Sequence, residues 1–311
     1  MSSPQLITAL VQEDGVRTDA DTPVPWWSYA KPVLAGAALS LVAAGRLQLD
    51  ALVRGKPFTL RQLLQHRAGL RCYGGLRAYH AAVAAGDAPW PVEEMLRRVD
   101  ADTLAYEPGH GWGYSNVGYL LVRSLIEEVS GAALYPALER LVFRPLGISG
   151  VTVAREPGDL DATAWGNARR YHPEWVYQGL LVGPASAAAL FLHRLLEGGL
   201  LPADLLTEMQ AAYRVGDAIP GRPWRTAGYG LGLMIGQGDP PGEYVGHTGG
   251  GPGSTSAVFR LAGTGTCKHT RRTGAAFAPV DDPGMVEVQA MKIVAHGSAH
   301  EVREPPNPDG A

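Results

Sequence analysis

Two cysteines in 311 residues, Cys72 and Cys267, are too few for a disulfide-stapled scaffold, and they stand at no metal-ligand spacing. Both are expected as free thiols. No Gly-x-Ser-x-Gly occurs, which excludes the strand–turn–helix nucleophile elbow of the α/β-hydrolase fold. The glycine-rich run at 249–253 has neither the lysine of a phosphate loop nor the dinucleotide glycine spacing. The longest apolar run is about twelve residues, too short to span a bilayer. Met1-Ser2-Ser3-Pro4-Gln5-Leu6 lacks the charged and apolar regions of a secretory leader, so a cytoplasmic location is expected. A net charge of −3 and the lack of a basic stripe interleaved with aromatics exclude nucleic acid as a partner. His296 and His300 are four residues apart but sit beside Gly297 with no adjacent acid. No metal or cofactor is expected.

What is present is the composition of a globular protein, 46% hydrophobic and 18% charged, with 40 glycines and 24 prolines to make turns. Residues 5–12 read as a strand closed by Glu13-Asp14-Gly15. The segment ahead of Ser28 leaves room for one sheet strand. Val33 to Ala44 is apolar nearly all round, which predicts a helix from about Ser28 that is buried on every side and stops at Gly45. Thr59 caps a short helix over 60–66, and Pro91, with acids in the first turn, opens another. Further helices are expected over 117–130, 132–143, 185–197 and 202–212. After about residue 228 the period changes to alternation. Tyr229 to Ile235 reads as one strand, and Tyr244 to His247 as a second that runs into the glycines. Segments 256–261 and 274–278 read as a hairpin pair, and a last helix is expected over 283–295. The basic connection Cys267-Lys268-His269-Thr270-Arg271-Arg272 has no evident purpose. This order predicts an α/β (α+β) fold with a mainly antiparallel sheet flanked by helices and a helical insertion. The expected division is 1–58 with 216–300 as the sheet domain, 59–215 as the helical domain, and 301–311 as a disordered tail.

Three short segments carry the chemistry. Ser28 and Lys31, three apart, share one helical face. A nucleophile at a helix start also has backbone N–H groups beside it where an oxyanion would form. Alone, Ser-x-x-Lys recurs by chance. Tyr114-Ser115-Asn116 opens the helix over 117–130, where Ser115 or Asn116 could serve simply as a cap. Gly246-His247-Thr248-Gly249-Gly250-Gly251 closes a late strand.

In that order, and each in the local structure it needs, the three segments resemble the serine β-lactamase and penicillin-binding-protein family. Tyr-x-Asn brings them closest to its class C β-lactamase, esterase and D-aminopeptidase branch. Phe58 to Leu70, Glu107-Pro108-Gly109, Pro145-Leu146-Gly147 and Tyr229-Gly230-Leu231-Gly232 resemble that branch too, so the likeness runs from about residue 6 to 295. It implies a β-lactamase-like fold and an acyl-enzyme on Ser28, with Lys31 and Tyr114 sharing activation of its hydroxyl. It also implies that Asn116 orients the substrate and that the Ser28 and Gly250 N–H groups form the oxyanion hole. Gly249, Thr248 and His247 would line the substrate site. His247 stands where many members have lysine, which points away from β-lactams and toward an esterase or peptidase. The expected partner is a small ester or amide, with no membrane and no defined oligomeric state. The alternative is a catalytically silent member that binds a β-lactam or acyl-peptide. Trp26, Trp27, Tyr29 and Trp112 flank the site as pocket walls or as packing, and His66 is expected as a core or capping residue.

Overall fold

The computed structural model describes residues 5–167, 170–262 and 271–297. Eight strands form one sheet: β1 (Ile7–Gln12), β2 (Gly15–Thr18), β6 (Tyr213–Gly216), β7 (Ala227–Tyr229), β8 (Met234–Gly238), β9 (Gly242–Gly251), β10 (Ser254–Leu261) and β11 (Thr273–Ala278). Their order is β2-β1-β11-β10-β9-β8-β7-β6, and every pairing is antiparallel. The first strand thus pairs with the last, Ile7 opposite Phe277. The remaining three strands, β3 (Val24–Pro25), β4 (Thr152–Ala154) and β5 (Leu180–Gly183), make a small second sheet in the order β3-β5-β4.

The helices are α1 (Ala30–Ala43), α2 (Leu60–Leu64), α3 (Arg77–Ala85), α4 (Val92–Arg98), α5 (Asn116–Ser130), α6 (Leu134–Leu138), α7 (Gly158–Asp161), α8 (Ala185–Leu196), α9 (Ala203–Gln210) and α10 (Pro283–His296). None is long and apolar enough, among the described residues, to cross a membrane. Strand alternation explains how the sheet is covered. Ala257, Phe259, Ala276 and Ala278 cluster with Val286, Ala290, Met291 and Val294 of α10. The intervening Val258, Ala275 and Phe277 point the other way into the larger core, where α8 lies on β1, β10 and β11. Helix α1 is buried from Ala30 to Leu39 and packs against α5, α6 and β9, as its all-round apolar sequence requires. Thr59 forms a full capping box with Gln62, and Asp282 caps α10 ahead of Pro283.

Three expectations need correction. The segment before Ser28 holds two strands of the large sheet, because Gly15 turns the chain straight back and β2 pairs with β1, and a third, β3, that joins the small sheet. The stretch 229–235 is two strands joined by a turn, with Tyr229 opposite Met234. Gly232, at φ +83°, lets that turn tuck Leu231 and Leu233 into the core; a Cβ there would lie 2.5 Å from Ala35 Cβ. The four buried residues of β5 fall in a segment read as helical, since a short apolar run does not distinguish strand from helix. The tail at 301–311, His300, Cys267 and the basic stretch from Lys268 to Thr270 lie outside the described residues. Gly232→Ala combines a disfavoured φ with overpacking and is expected to cost about 2–4 kcal/mol. The urea midpoint measures it, and a loss below about 0.5 kcal/mol would contradict the close contact with α1.

Candidate active site

Ser28 sits in a 3₁₀ turn, Trp27–Tyr29, that leads directly into α1. Pro32 costs nothing there, because the first backbone N–H groups of a helix have no intrahelical acceptor. Trp27 holds φ +49°, a conformation that bulky side chains rarely adopt. The surroundings over-determine the turn. Trp26 Nε1 donates to the Gly183 carbonyl at 3.1 Å, Trp27 Nε1 to Ser254 Oγ at 2.9 Å, and Tyr29 Oη to the Ala188 carbonyl at 2.7 Å. Ser256 Oγ donates to the Trp26 carbonyl at 3.0 Å. Trp26 and Tyr29 are therefore packing residues, whereas Trp27 and Trp112 line the cleft.

Strand β9 presses on this turn. A Cβ on Gly249 would stand 2.5 Å from the Trp26 carbonyl oxygen and 2.8 Å from the Ser28 nitrogen; on Gly251 it would enter the Trp27 ring. The glycines let a strand lie against backbone, which no other residue permits at this distance. Beyond Gly246, β9 has no partner in β8, so this stretch pairs only with β10.

Lys31 and Tyr114 converge on Ser28. Lys31 Nζ lies 3.1 Å from Ser28 Oγ and donates to Asn116 Oδ1 at 2.8 Å, and Tyr114 Oη donates to Ser28 Oγ at 2.8 Å. Ser115 caps α5 by accepting from Gly118 N at 3.2 Å, which leaves the Asn116 side chain to Lys31. The Lys31 side chain is fully buried, and desolvation lowers its amine to about 7 against a small opposing influence of Cys72. Desolvation pushes the Tyr114 phenol well above its ordinary range, only partly offset by its bond to Ser28. Neutral amine and protonated phenol thus coexist near pH 7.

His66 is the buried residue beneath them. Its Nδ1 accepts from Ser115 N at 3.1 Å, and its ring lies 4.4 Å from that of Tyr114 and 4.7 Å from that of Tyr229. Burial, then the nearby Lys31 and His247, holds it neutral. It is a core residue that seats the Tyr-Ser-Asn segment. His247 is also spoken for. The Thr248 carbonyl, 2.6 Å from Nδ1, can only accept, so the proton is on Nδ1, and Nε2 accepts from Tyr229 Oη at 2.8 Å. Burial, reinforced by Lys31, lowers His247 to about 3. It lines the cleft as a neutral ring.

Sequence reasoning missed Arg222 and Glu287. Glu287, wholly buried on α10, accepts from Arg222 Nε at 2.7 Å, from Arg222 Nη2, from Trp224 Nε1 at 3.1 Å and from Thr248 Oγ1. A lone acid between Val286 and Val288 was a visible sign. Its partner, 65 residues earlier in the chain, was not. Ser28, Tyr114, Asn116, His247, Thr248, Gly249 and Gly250 all line one cleft of about 860 Å³, walled by Tyr73, Tyr79, Tyr171 and Tyr229 and also bordered by Arg222 and Asp281.

A family model described as Beta-lactamase matches residues 9–290. Esterase EstB of Burkholderia gladioli is 31% identical over 141 residues, which are 39% of this chain and 36% of that protein. Penicillin-binding protein 4* of Bacillus subtilis (strain 168) is 27% identical over 266 residues, 75% of this chain and 56% of that protein. The chain thus spans about a third to just over half of the length of these curated relatives. The crystal structure of a D-stereospecific amidohydrolase from Streptomyces sp. superposes with a TM-score of 0.78 at 24% identity, covering 96% of this chain and 95% of that one.

Gly249→Ala is expected to push β9 off the nucleophile turn and slow modification of Ser28 by a fluorophosphonate about 100-fold, the scale of a 1 Å misplacement. Gly250→Ala should be mild, since its Cβ meets nothing nearer than 3.8 Å. Equal labelling rates in the two variants would refute the close approach.

Proposed function

The chain belongs to the Beta-lactamase family, and we propose that it is a serine hydrolase that cleaves a small ester or amide through an acyl-enzyme on Ser28, with esterase-type activity favoured. The observation that carries this reading is the convergence of the Lys31 amine and the Tyr114 phenol on one hydroxyl. A serine hydroxyl is a weak nucleophile until a base takes its proton. Neutral Lys31 accepts it as Oγ attacks the carbonyl carbon. The tetrahedral oxyanion is held by the N–H groups of Ser28 and Gly250 at the start of α1 and on the edge of β9. Tyr114, kept protonated by burial, gives its proton to the leaving group and regains one from Lys31. Asn116 holds Lys31 and the substrate carbonyl or amide in register. Water then attacks the acyl carbon by the reverse proton route, returning Ser28.

A neutral His247 brings no charge to the substrate, which supports esters over the carboxylate-bearing β-lactams and peptides. Relatives named as an esterase and as D-aminopeptidases fit the same chemistry.

Two outcomes test this. Ser28→Ala should abolish both turnover of p-nitrophenyl butyrate and the acyl adduct seen by intact mass; a full-level adduct in the variant would assign the nucleophile elsewhere. Because the unprotonated amine is the active form and Lys31 sits at about 7, kcat/KM should fall about tenfold per pH unit below that value and level off above it. A flat profile from pH 5 to 8 would remove Lys31 as the base.

A further inference from the structure

Arg222 is a cation bordering the cleft that holds Ser28, at the end where Thr248 and Pro283 also line it. A guanidinium in that place would ordinarily select a substrate carboxylate. Here its Nε and Nη2 are engaged by both oxygens of Glu287, whose carboxylate is fully buried and whose Oε1 also accepts from Thr248 and Trp224. A buried carboxylate needs a compensating charge, and Arg222 is the cation that supplies it. The two charges cancel at short range, and Thr248 is committed as a donor to the same acid. Asp281 borders the cleft as well. Of the other basic groups, Lys31 is half-neutral near pH 7, His247 is neutral, and His80, which also lines the cleft, is hydrogen-bonded to the Gly74 carbonyl at 2.8 Å.

We infer that Glu287 is a specificity-determining residue: by neutralising Arg222 it leaves the cleft without net positive charge and selects uncharged esters and amides against substrates bearing a carboxylate. The aromatic walls, Trp27, Tyr73, Tyr79, Tyr171 and Tyr229, suit an uncharged aryl or alkyl group in the same sense. Glu287 touches no substrate. It acts through Arg222 and Thr248, and it rests on the acyl-enzyme reading above.

The test uses the full chain and two matched ester pairs, each differing only by carboxylate against carboxamide. One pair carries the group on the acyl chain (p-nitrophenyl esters of glutaric acid and its monoamide). The other carries it on the leaving group (phenylacetyl esters of 3-hydroxybenzoate and 3-hydroxybenzamide). The wild-type protein should prefer the carboxamide in both pairs by tenfold or more in kcat/KM. Glu287→Gln, which keeps the shape and frees the Arg222 charge, should shift that ratio toward the carboxylate by at least tenfold in one pair, and adding Arg222→Gln should restore it. Should Glu287→Gln not fold by circular dichroism, Arg222→Gln alone leaves a buried negative charge and should deepen the preference for the carboxamide. A wild-type preference for the carboxylate, or an equal effect of Glu287→Gln on both members of each pair, overturns the inference. Failure to turn over any of the four esters or to form an adduct on Ser28 would instead overturn the hydrolase reading.

Discussion

The whole site depends on backbone meeting backbone where β9 crosses the Trp27–Tyr29 turn. Ser28 is fixed from one side by α1 and from the other by a strand that has shed its side chains at Gly249 and Gly251 to come close enough. Through Thr248 the same strand is bonded to Glu287 of α10, and through His247 to Tyr229 of β7. Movement of one strand would therefore alter the seat of Ser28, the Gly250 backbone and the Arg222–Glu287 pair together. The aromatic anchors around the turn, on Gly183, Ser254 and Ala188, resist that movement and hold Trp27 in its unfavourable conformation.

The electrostatic design follows from the burial of a lysine. An ammonium on α1, surrounded by Tyr114, Tyr119 and apolar side chains, is destabilised relative to water, and among the described residues no carboxylate beside it compensates. Its nearest polar contacts, Ser28 and Asn116, solvate it without fixing its charge. The two buried histidines nearby remain neutral for the same reason, and the Lys31 amine disfavours their protonation further. Glu287 shows the opposite solution, a charge kept by being paired.

Much of this was legible in the sequence because its causes are local. The all-round apolar run after Lys31, the Thr59–Gln62 capping box and the alternation after residue 228 each write their structure into neighbouring residues. The three segments that meet at Ser28 were legible for another reason: each combines uncommon chemistry with a place at an element boundary. What escaped depends on contacts distant in the chain. The turn at Gly230–Gly232 exists because Ala35 leaves space for it, and β2 is an exposed edge strand with no apolar face to betray it. Arg222 looked like any surface arginine until α10 placed Glu287 beneath it. His247 read as a replacement for a lysine, yet its orientation is set by Tyr229 and by the carbonyl of its own neighbour.

The pairing of the first strand with the last has a consequence for how the protein comes into being. Residue 7 cannot find its partner until residue 277 has left the ribosome, and β1 lies between β2 and β11 in the finished sheet. Contacts so remote in sequence form slowly, and the early hairpin must wait with an open edge until they do. The turn that carries Ser28 is synthesised long before the glycines that lie against it. A nascent chain that has not yet reached Gly249 therefore carries Ser28 without the strand that seats it, and the cleft is complete only once β9 has docked.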